Sequence, residues 1–258
     1  MAPDCDTASG TTAAIELRAV TKRFGDKVAV NDLSLAIPRG ELFAFLGPNG
    51  AGKTTTIRMI VGLLRPNAGT VTVCGHAMST DGLPARAQLA YVPDQPFLYD
   101  KLTGREFLHF VAEMYRLPSE RRDRAINELT ARLGMAEFLD HMTESYSHGM
   151  KQKVVLASAL LHDPAVLVVD EPMVGLDPRT ARQVKDIFVE RTRRGGAAFI
   201  STHTLEVAEA VADRIGIIHQ GRLIALGTLE QLRRKARRQQ SLEDIFLQLT
   251  ETGDGPCD

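Results

Sequence analysis

The chain is expected to be an α/β protein: a mostly parallel sheet, an antiparallel sheet near the N-terminus and an inserted helical lobe. Three observations predict this. Two runs, "ELFAFLG" and "AVLVVD", are apolar almost throughout and end in glycine or acid, as strands buried on both faces do. Three early runs, "AIELRAV", "VAVNDLSLAI" and "GTVTVCG", alternate apolar and polar residues, the mark of antiparallel strands with one covered face. From about 103 to 162 the pattern turns helical, which places a helical insertion between strands of the core.

The local signals follow in order. Thr103 and Glu106 are spaced as a capping box that opens a helix, and Gly134 suits a helix stop. Asp177-Pro178 reads as an N-cap followed by proline at the first helical position, with the helix ending near Gly195-Gly196. "AAFIS" is a further strand, and "RIGIIHQGRLIALG" reads as a hairpin that turns near Gly221. Residues 228–250 look helical, and residues 1–12, small and polar, read as a disordered lead-in.

The bulk numbers exclude some functions. With 258 residues, 44% hydrophobic and 24% charged, the chain has the composition of a globular protein with a sizeable core. A formal net charge of −1 gives no electrostatic basis for bulk nucleic-acid binding, so no nucleic-acid partner is expected. Cys5, Cys74 and Cys257 form neither an even disulfide framework nor a metal-ligand pair, and reduced thiols are expected. The longest apolar candidate, 153–169, is broken by His162, Asp163 and Pro164 and falls short of the ~18–20 residues that span a bilayer. The first residues carry acids and no apolar centre, unlike a secretory signal, so a cytosolic location is expected, with any membrane link made through a partner.

Residues 47–55, "GPNGAGKTT", directly follow the strand "ELFAFL" and precede the helical run "TTTIRMIVGLL". That strand–loop–helix setting is what a phosphate-binding loop requires. Gly47, Pro48, Asn49, Gly50, Ala51 and Gly52 form a loop whose backbone N–H groups can turn inward onto phosphate oxygens. Lys53 would reach the β- and γ-phosphates, Thr54 can hold Mg²⁺, and Thr55 continues the start of the helix with its partial positive charge. Asp170 and Glu171 end the second apolar strand. Asp170 is placed for the Mg²⁺ shell and Glu171 for the water that attacks the γ-phosphate, and such a base has little use in a protein that only binds nucleotide.

From about residue 14 to 248 the chain resembles the ATP-binding subunits of ABC transporters, on six motifs in order: "GPNGAGKTT", "YVPDQP", "YSHGMKQK", "VLVVDEP", "GLDP" and "STH". The resemblance implies a P-loop NTPase with a RecA-like core, an N-terminal antiparallel β-subdomain and an inserted α-helical subdomain at about 95–162. The ATP-binding domain would occupy 13–240, with a C-terminal helix and tail at 241–258. It also implies a head-to-tail pair of such subunits, identical or paralogous, enclosing two ATP molecules with Mg²⁺, on the cytoplasmic face of a membrane beside an integral permease subunit.

Site residues carry over one at a time. Ser147 and Gly149 match the signature serine and second glycine, which reach the γ-phosphate held by the other chain. Tyr146, His148 and Met150 depart from the common Leu, Gly and Gln. Phe24 matches the aromatic residue that stacks on adenine, His203 the switch histidine that holds Glu171 and water in register, and Asp177 the acid that communicates across the dimer. Where the family usually places a glutamine that serves Mg²⁺, this chain has Asp94, with Gln95 next. Asp94 is the expected ligand, since its oxygen can also meet Mg²⁺, with Gln95 the alternative. The groove for the membrane partner is expected between the lobes, near 94–115, where Phe97, Leu98, Tyr99 and Phe107 divide between core and an exposed docking surface. "RRKARR", 233–238, reads most simply as a solvated helix face, with contact to anionic lipid headgroups the alternative.

The pattern leans towards exporters whose ATPase and membrane subunits are separate chains. The competing class, a soluble ABC-type ATPase on a ribosome or nucleic-acid complex, usually has two cassettes per chain or a long coiled coil. Here there is one phosphate loop, and about 95 residues separate it from the signature.

Overall fold

The computed structural model describes residues 13–78, 82–173 and 176–235; the expected lead-in and the chain beyond 235 lie outside them. In chain order the strands are β1 (Ile15–Phe24), β2 (Lys27–Ile37), β3 (Leu42–Leu46), β4 (Ala68–Val73), β5 (His76–Ala77), β6 (Leu89–Val92), β7 (Val166–Asp170), β8 (Ala197–Thr202), β9 (Arg214–His219) and β10 (Arg222–Gly227). The helices are α1 (Lys53–Ile60), α2 (Leu83–Ala87), α3 (Gly104–Met114), α4 (Ser119–Arg132), α5 (His148–Leu160), α6 (Pro178–Arg193), α7 (Leu205–Val211) and α8 (Leu229–Lys235).

Two sheets form. One is antiparallel in the order β2-β1-β4-β5, and the other runs β10-β9-β3-β8-β7-β6. In the second, β3 pairs in parallel with both β8 and β9, β7 with β8, and β6 with β7; β10 returns antiparallel to β9. Both faces of this sheet are covered, which explains the apolar runs. Successive side chains of β3 go to opposite cores: Leu42, Ala44 and Leu46 pack with the helices of one layer. Phe43 and Phe45 pack with the antiparallel sheet and α1, where they meet Phe199 at ring-centroid distances of 5.6 and 5.4 Å.

The helix signals are realised. Thr103 and Glu106 make the capping box of α3, and Asp177 caps α6 by accepting from the N–H groups of Arg179 and Thr180. Gly134 follows the end of α4 at φ 61°, and the β9–β10 hairpin turns through Gln220 and Gly221, both at positive φ. Strand β6 and helix α2 were not anticipated. Each is only four or five residues long, too short for a periodic pattern to show. Of the helical run expected over 228–250, α8 covers 229–235, with Arg233 and Arg234 exposed; the remainder lies outside the described residues.

His162 ties the helical insertion to the core sheet. Its ring stacks on Tyr115, just past α3, at 3.7 Å between centroids, and Nε2–H donates to the carbonyl of Leu89 in β6 at 3.3 Å. Burial pushes its pKa down to about 4, against the smaller upward pull of the Leu89 hydrogen bond. The unfolded chain therefore takes up a proton near pH 6.5 that the folded chain refuses until about pH 4. Stability from this group is complete above pH 6.5 and is lost as pH falls through that window, at up to about 1.4 kcal/mol per pH unit. Denaturant unfolding at pH 7, 6 and 5 should show a steeper loss in the wild type than in His162→Phe, which keeps the stack but does not titrate. Equal slopes would remove His162 as the cause.

Candidate nucleotide site

The carboxyl ends of four parallel strands converge on one cleft, where open α/β sheets bind their ligands. Strand β3 delivers residues 47–52, β7 delivers Asp170 and Glu171, β8 delivers His203, and β6 delivers Asp94. A cleft of about 360 Å³ is lined by Phe24, Lys27, Ala29, Asn49, Gly50, Gly52, Lys53, Thr54, Thr55, Asp94, Asp170 and Glu171. The structure thus brings the phosphate loop, both strand-end acids, Asp94 and Phe24 to one place; Gln95 is not among the lining residues.

The loop is held by close backbone packing. Gly52 sits at φ 111°, and a Cβ there would lie 2.6 Å from the carbonyl oxygen of Ala29 on β2, so glycine is required on both counts. Ala51 accepts a hydrogen bond from the N–H of Gly221 at 2.9 Å, which fastens the loop to the β9–β10 turn. Lys53 is buried, and its Nζ donates to the carbonyls of Gly47 (2.7 Å) and Pro48 (3.2 Å). An ammonium carries three protons, so one remains for a phosphate oxygen. Burial pulls the Lys53 pKa down, and the neighbouring Glu171 and Asp170 partly restore it.

Opposite the loop, Asp170 is buried and accepts from the hydroxyl of Ser201, its cross-strand partner on β8. The chain then turns sharply. Glu171 takes φ 50°, in the left-handed region, a conformation costing a side-chain-bearing residue about 1–2 kcal/mol. Its N–H points at the carbonyl and hydroxyl of Ser201, and its carboxylate lies 2.8 Å from His203 Nδ1 and 4.0 Å from Lys53 Nζ. A carboxylate only accepts, so Nδ1 carries the histidine proton in this pair. Phe24 ends β1 half-exposed, with Lys22 Nζ 5.3 Å from its ring centroid.

Ser201 and Lys27 were not anticipated as site residues. Ser201 could have been found from "STH", since the residue two before His203 on a strand beside Asp170 faces the same end of the sheet. Lys27 follows from the tight β1–β2 turn that pairs it with Phe24.

The signature residues lie elsewhere. Ser147 is the N-cap of α5, exposed, and accepts from the N–H of Met150 at 3.3 Å; Gly149 stands in its first turn. Neither lines the cleft. Asp177, also exposed, is drawn below the usual carboxylate range by the hydroxyl and N–H of Thr180. Thr54, Asp170 and Asp94 present only oxygen donors to the cleft, the donor set a hard divalent cation takes.

A phosphate cradle fed by a central parallel strand, faced across the cleft by an acid pair and a histidine, defines a nucleoside-triphosphate hydrolase. Residues 30–174 match the protein family described as "ABC transporter". Two relatives come from Bacillus subtilis (strain 168). The "Uncharacterized ABC transporter ATP-binding protein YhcH" is 40% identical over 81% of this chain and 68% of its own length. The "Linearmycin resistance ATP-binding protein LnrL" is 35% identical over 91% and 74%. Among solved structures, one titled "Structure of ATP binding subunit of ABC transporter" superposes with a TM-score of 0.87 at 33% identity, covering 92% of this chain and 99% of that one. A dimeric post-hydrolysis structure of the ATP-binding cassette MJ0796 with ADP and Pi gives 0.76 at 26% identity, covering 83% and 98%. The chain belongs to the ABC transporter ATP-binding family.

Proposed function

We propose that this chain hydrolyses ATP as one of a head-to-tail pair and so drives export through a separate membrane-spanning permease. The observation that carries the hydrolytic part is the contact of Glu171 with His203 beside Lys53. It makes a base held in orientation by a histidine next to a phosphate-binding cation.

In this reading the loop N–H groups and Lys53 bind the β- and γ-phosphates, and Phe24 stacks on the base. Glu171 takes the proton of the attacking water while His203 holds its carboxylate in place. Thr54, Asp170 and Asp94 would hold Mg²⁺, which when bound neutralises charge across the phosphate oxygens. The pairing rests on the exposed Ser147. Its oxygen accepts from its own helix, so its O–H proton is available to a phosphate, yet it lies outside the cleft of its own chain. A partner's cleft is where that donor and the positive end of α5 would serve. Asp177, at the head of α6, would report across the same interface.

Export is favoured by the name of a further relative, the "Nod factor export ATP-binding protein I" of Burkholderia lata, 40% identical over 83% of this chain and 71% of its own length, and a membrane partner by the exposed aromatics Phe97, Tyr99 and Phe110 beside the buried Phe107. Among the described residues no helix is long and apolar enough to cross a membrane. Placement on the cytoplasmic face beside a permease, and the helical subdomain at about 95–162 as its contact, belong to the same proposal.

Ser147→Ala tests the pairing. ATP affinity of the isolated chain should stay within about twofold, while hydrolysis should fall roughly tenfold for the lost charge-assisted bond. Wild-type specific activity should drop on dilution as pairs dissociate. Specific activity independent of concentration and of the Ser147 hydroxyl would overturn the pairing. Co-purification with ribosomes, and with no integral membrane protein, would overturn the transport role.

A further inference from the structure

We propose that Tyr146 is a positioning residue for Ser147: its hydroxyl bolts the start of α5 to the start of α3. The inference rests on reading Ser147 as the contact to a partner's phosphate.

Tyr146 is buried, with the edge of its ring set against Phe138 at 5.1 Å and 83°. Its hydroxyl accepts from the N–H of Gly104 at 3.1 Å. Around its single proton lie the carbonyl oxygens of Phe138 at 2.8 Å, His141 at 3.1 Å and Leu139 at 3.2 Å. Burial raises the phenol's pKa, which keeps that proton in place. Gly104 is the first residue of α3, and its N–H has no intrahelical partner. The next two donors are met locally, Arg105 N–H by the Leu139 carbonyl at 3.0 Å and Glu106 N–H by the Thr103 hydroxyl at 3.1 Å. Tyr146 thus completes the cap of α3 from the residue that immediately precedes Ser147.

The fit is mutual. A Cβ on Gly104 would stand 2.5 Å from the Tyr146 hydroxyl and 2.9 Å from Leu139 Cδ1, so the phenol and the missing side chain occupy one space. Leucine, the family's common residue here, has no group to cap α3. The segment leading to Tyr146 is fastened along its length to residues 99–103. Thr143 donates through Oγ1 to the Tyr99 carbonyl at 2.8 Å and through N–H to Leu102 at 2.9 Å, and Met142 bridges Thr103. Lys101 pairs with Glu144 at 2.6 Å. Ser147 follows in extended conformation at φ −63° and ψ 164°, so its location is inherited from α3 as much as from α5.

The test uses ATP-driven dimerisation in a Glu171→Gln background, read by analytical ultracentrifugation below the melting temperature. Tyr146→Phe should weaken dimerisation about tenfold by freeing the Gly104 N–H and loosening Ser147. The affinity of isolated chains for a fluorescent ATP analogue should not change. Gly104→Ala keeps the phenol but displaces it, and should act in the same direction. The deciding reading is a double-mutant cycle: once Ser147→Ala is present, Tyr146→Phe should cost little more, because there is no hydroxyl left to place. A purely structural tyrosine would lower the melting temperature and add its full effect to Ser147→Ala. If Ser147→Ala weakens dimerisation and Tyr146→Phe does not, or adds in full, the role of Tyr146 is overturned. If Ser147→Ala alone changes nothing, the partner-phosphate reading of Ser147 falls and takes this inference with it.

Discussion

Glu171→Gln should bind ATP at least as tightly as the wild type, hydrolyse it about 10²–10³-fold more slowly and accumulate as an ATP-bound dimer on gel filtration. The amide keeps the size of the carboxylate and can still meet His203, but it cannot take a proton from water. It also removes a negative charge 4.0 Å from Lys53 Nζ, leaving the ammonium freer to hold the triphosphate. Because Glu171 carries a left-handed backbone that glutamine shares, the strain at φ 50° is unchanged and the fold should persist. Single-turnover hydrolysis with radiolabelled ATP checks the rate, and sedimentation checks the dimer. Undiminished turnover would remove Glu171 as the base.

Lys53→Met should abolish the rise in melting temperature that ATP produces in the wild type, while the melting temperature without ATP moves by only a few degrees. The two parts have separate causes. Lys53 is buried, and burial works against its charge, so an apolar chain of similar length relieves that cost. Against this, the carbonyls of Gly47 and Pro48 each lose a donor, at about 1 kcal/mol apiece. The ligand-induced shift depends on binding to the folded state alone, and without the cation that state binds ATP weakly. Hydrolysis should fall about 10²–10³-fold. Scanning calorimetry with and without millimolar ATP reads both parts, and a full ATP-dependent shift in the variant would show that Lys53 does not anchor the phosphates.

The strands most plainly legible in the sequence are those where burial is total, and the starts of α3 and α6 were legible from their caps, Thr103 with Glu106 and Asp177. Strands β3 and β7 lie between two cores, so their residues are apolar up to Asp170, the last position of β7, where the chain reaches the cleft. That same exit placed the phosphate loop and the acid pair, because polar residues at the end of a buried strand must face a site or solvent. Strand β6 was not legible, since four residues at a sheet edge carry no period. The division of Phe97 and Tyr99 to the surface and Leu98 and Phe107 to the core was not legible either, because aromatic residues in one short run fit both places. Ser201 acts through a cross-strand neighbour 31 residues away, and Tyr146 through a glycine 42 residues away. Such partnerships depend on sheet register and loop packing, which a single sequence does not display. The positive φ of Glu171 is hidden for a related reason: nothing in "VVDEP" marks the backbone as strained.

Among the described residues, strand β3, which carries the phosphate loop, has β8 and β9 as its sheet neighbours, contributed by residues 197–219. During synthesis the nascent chain therefore holds its most apolar early strand without a sheet partner until about three-quarters of the polypeptide has been made. Ligand capture is gained late and all at once, and stalled or truncated products that stop before residue 197 should be clients of chaperones rather than miniature enzymes.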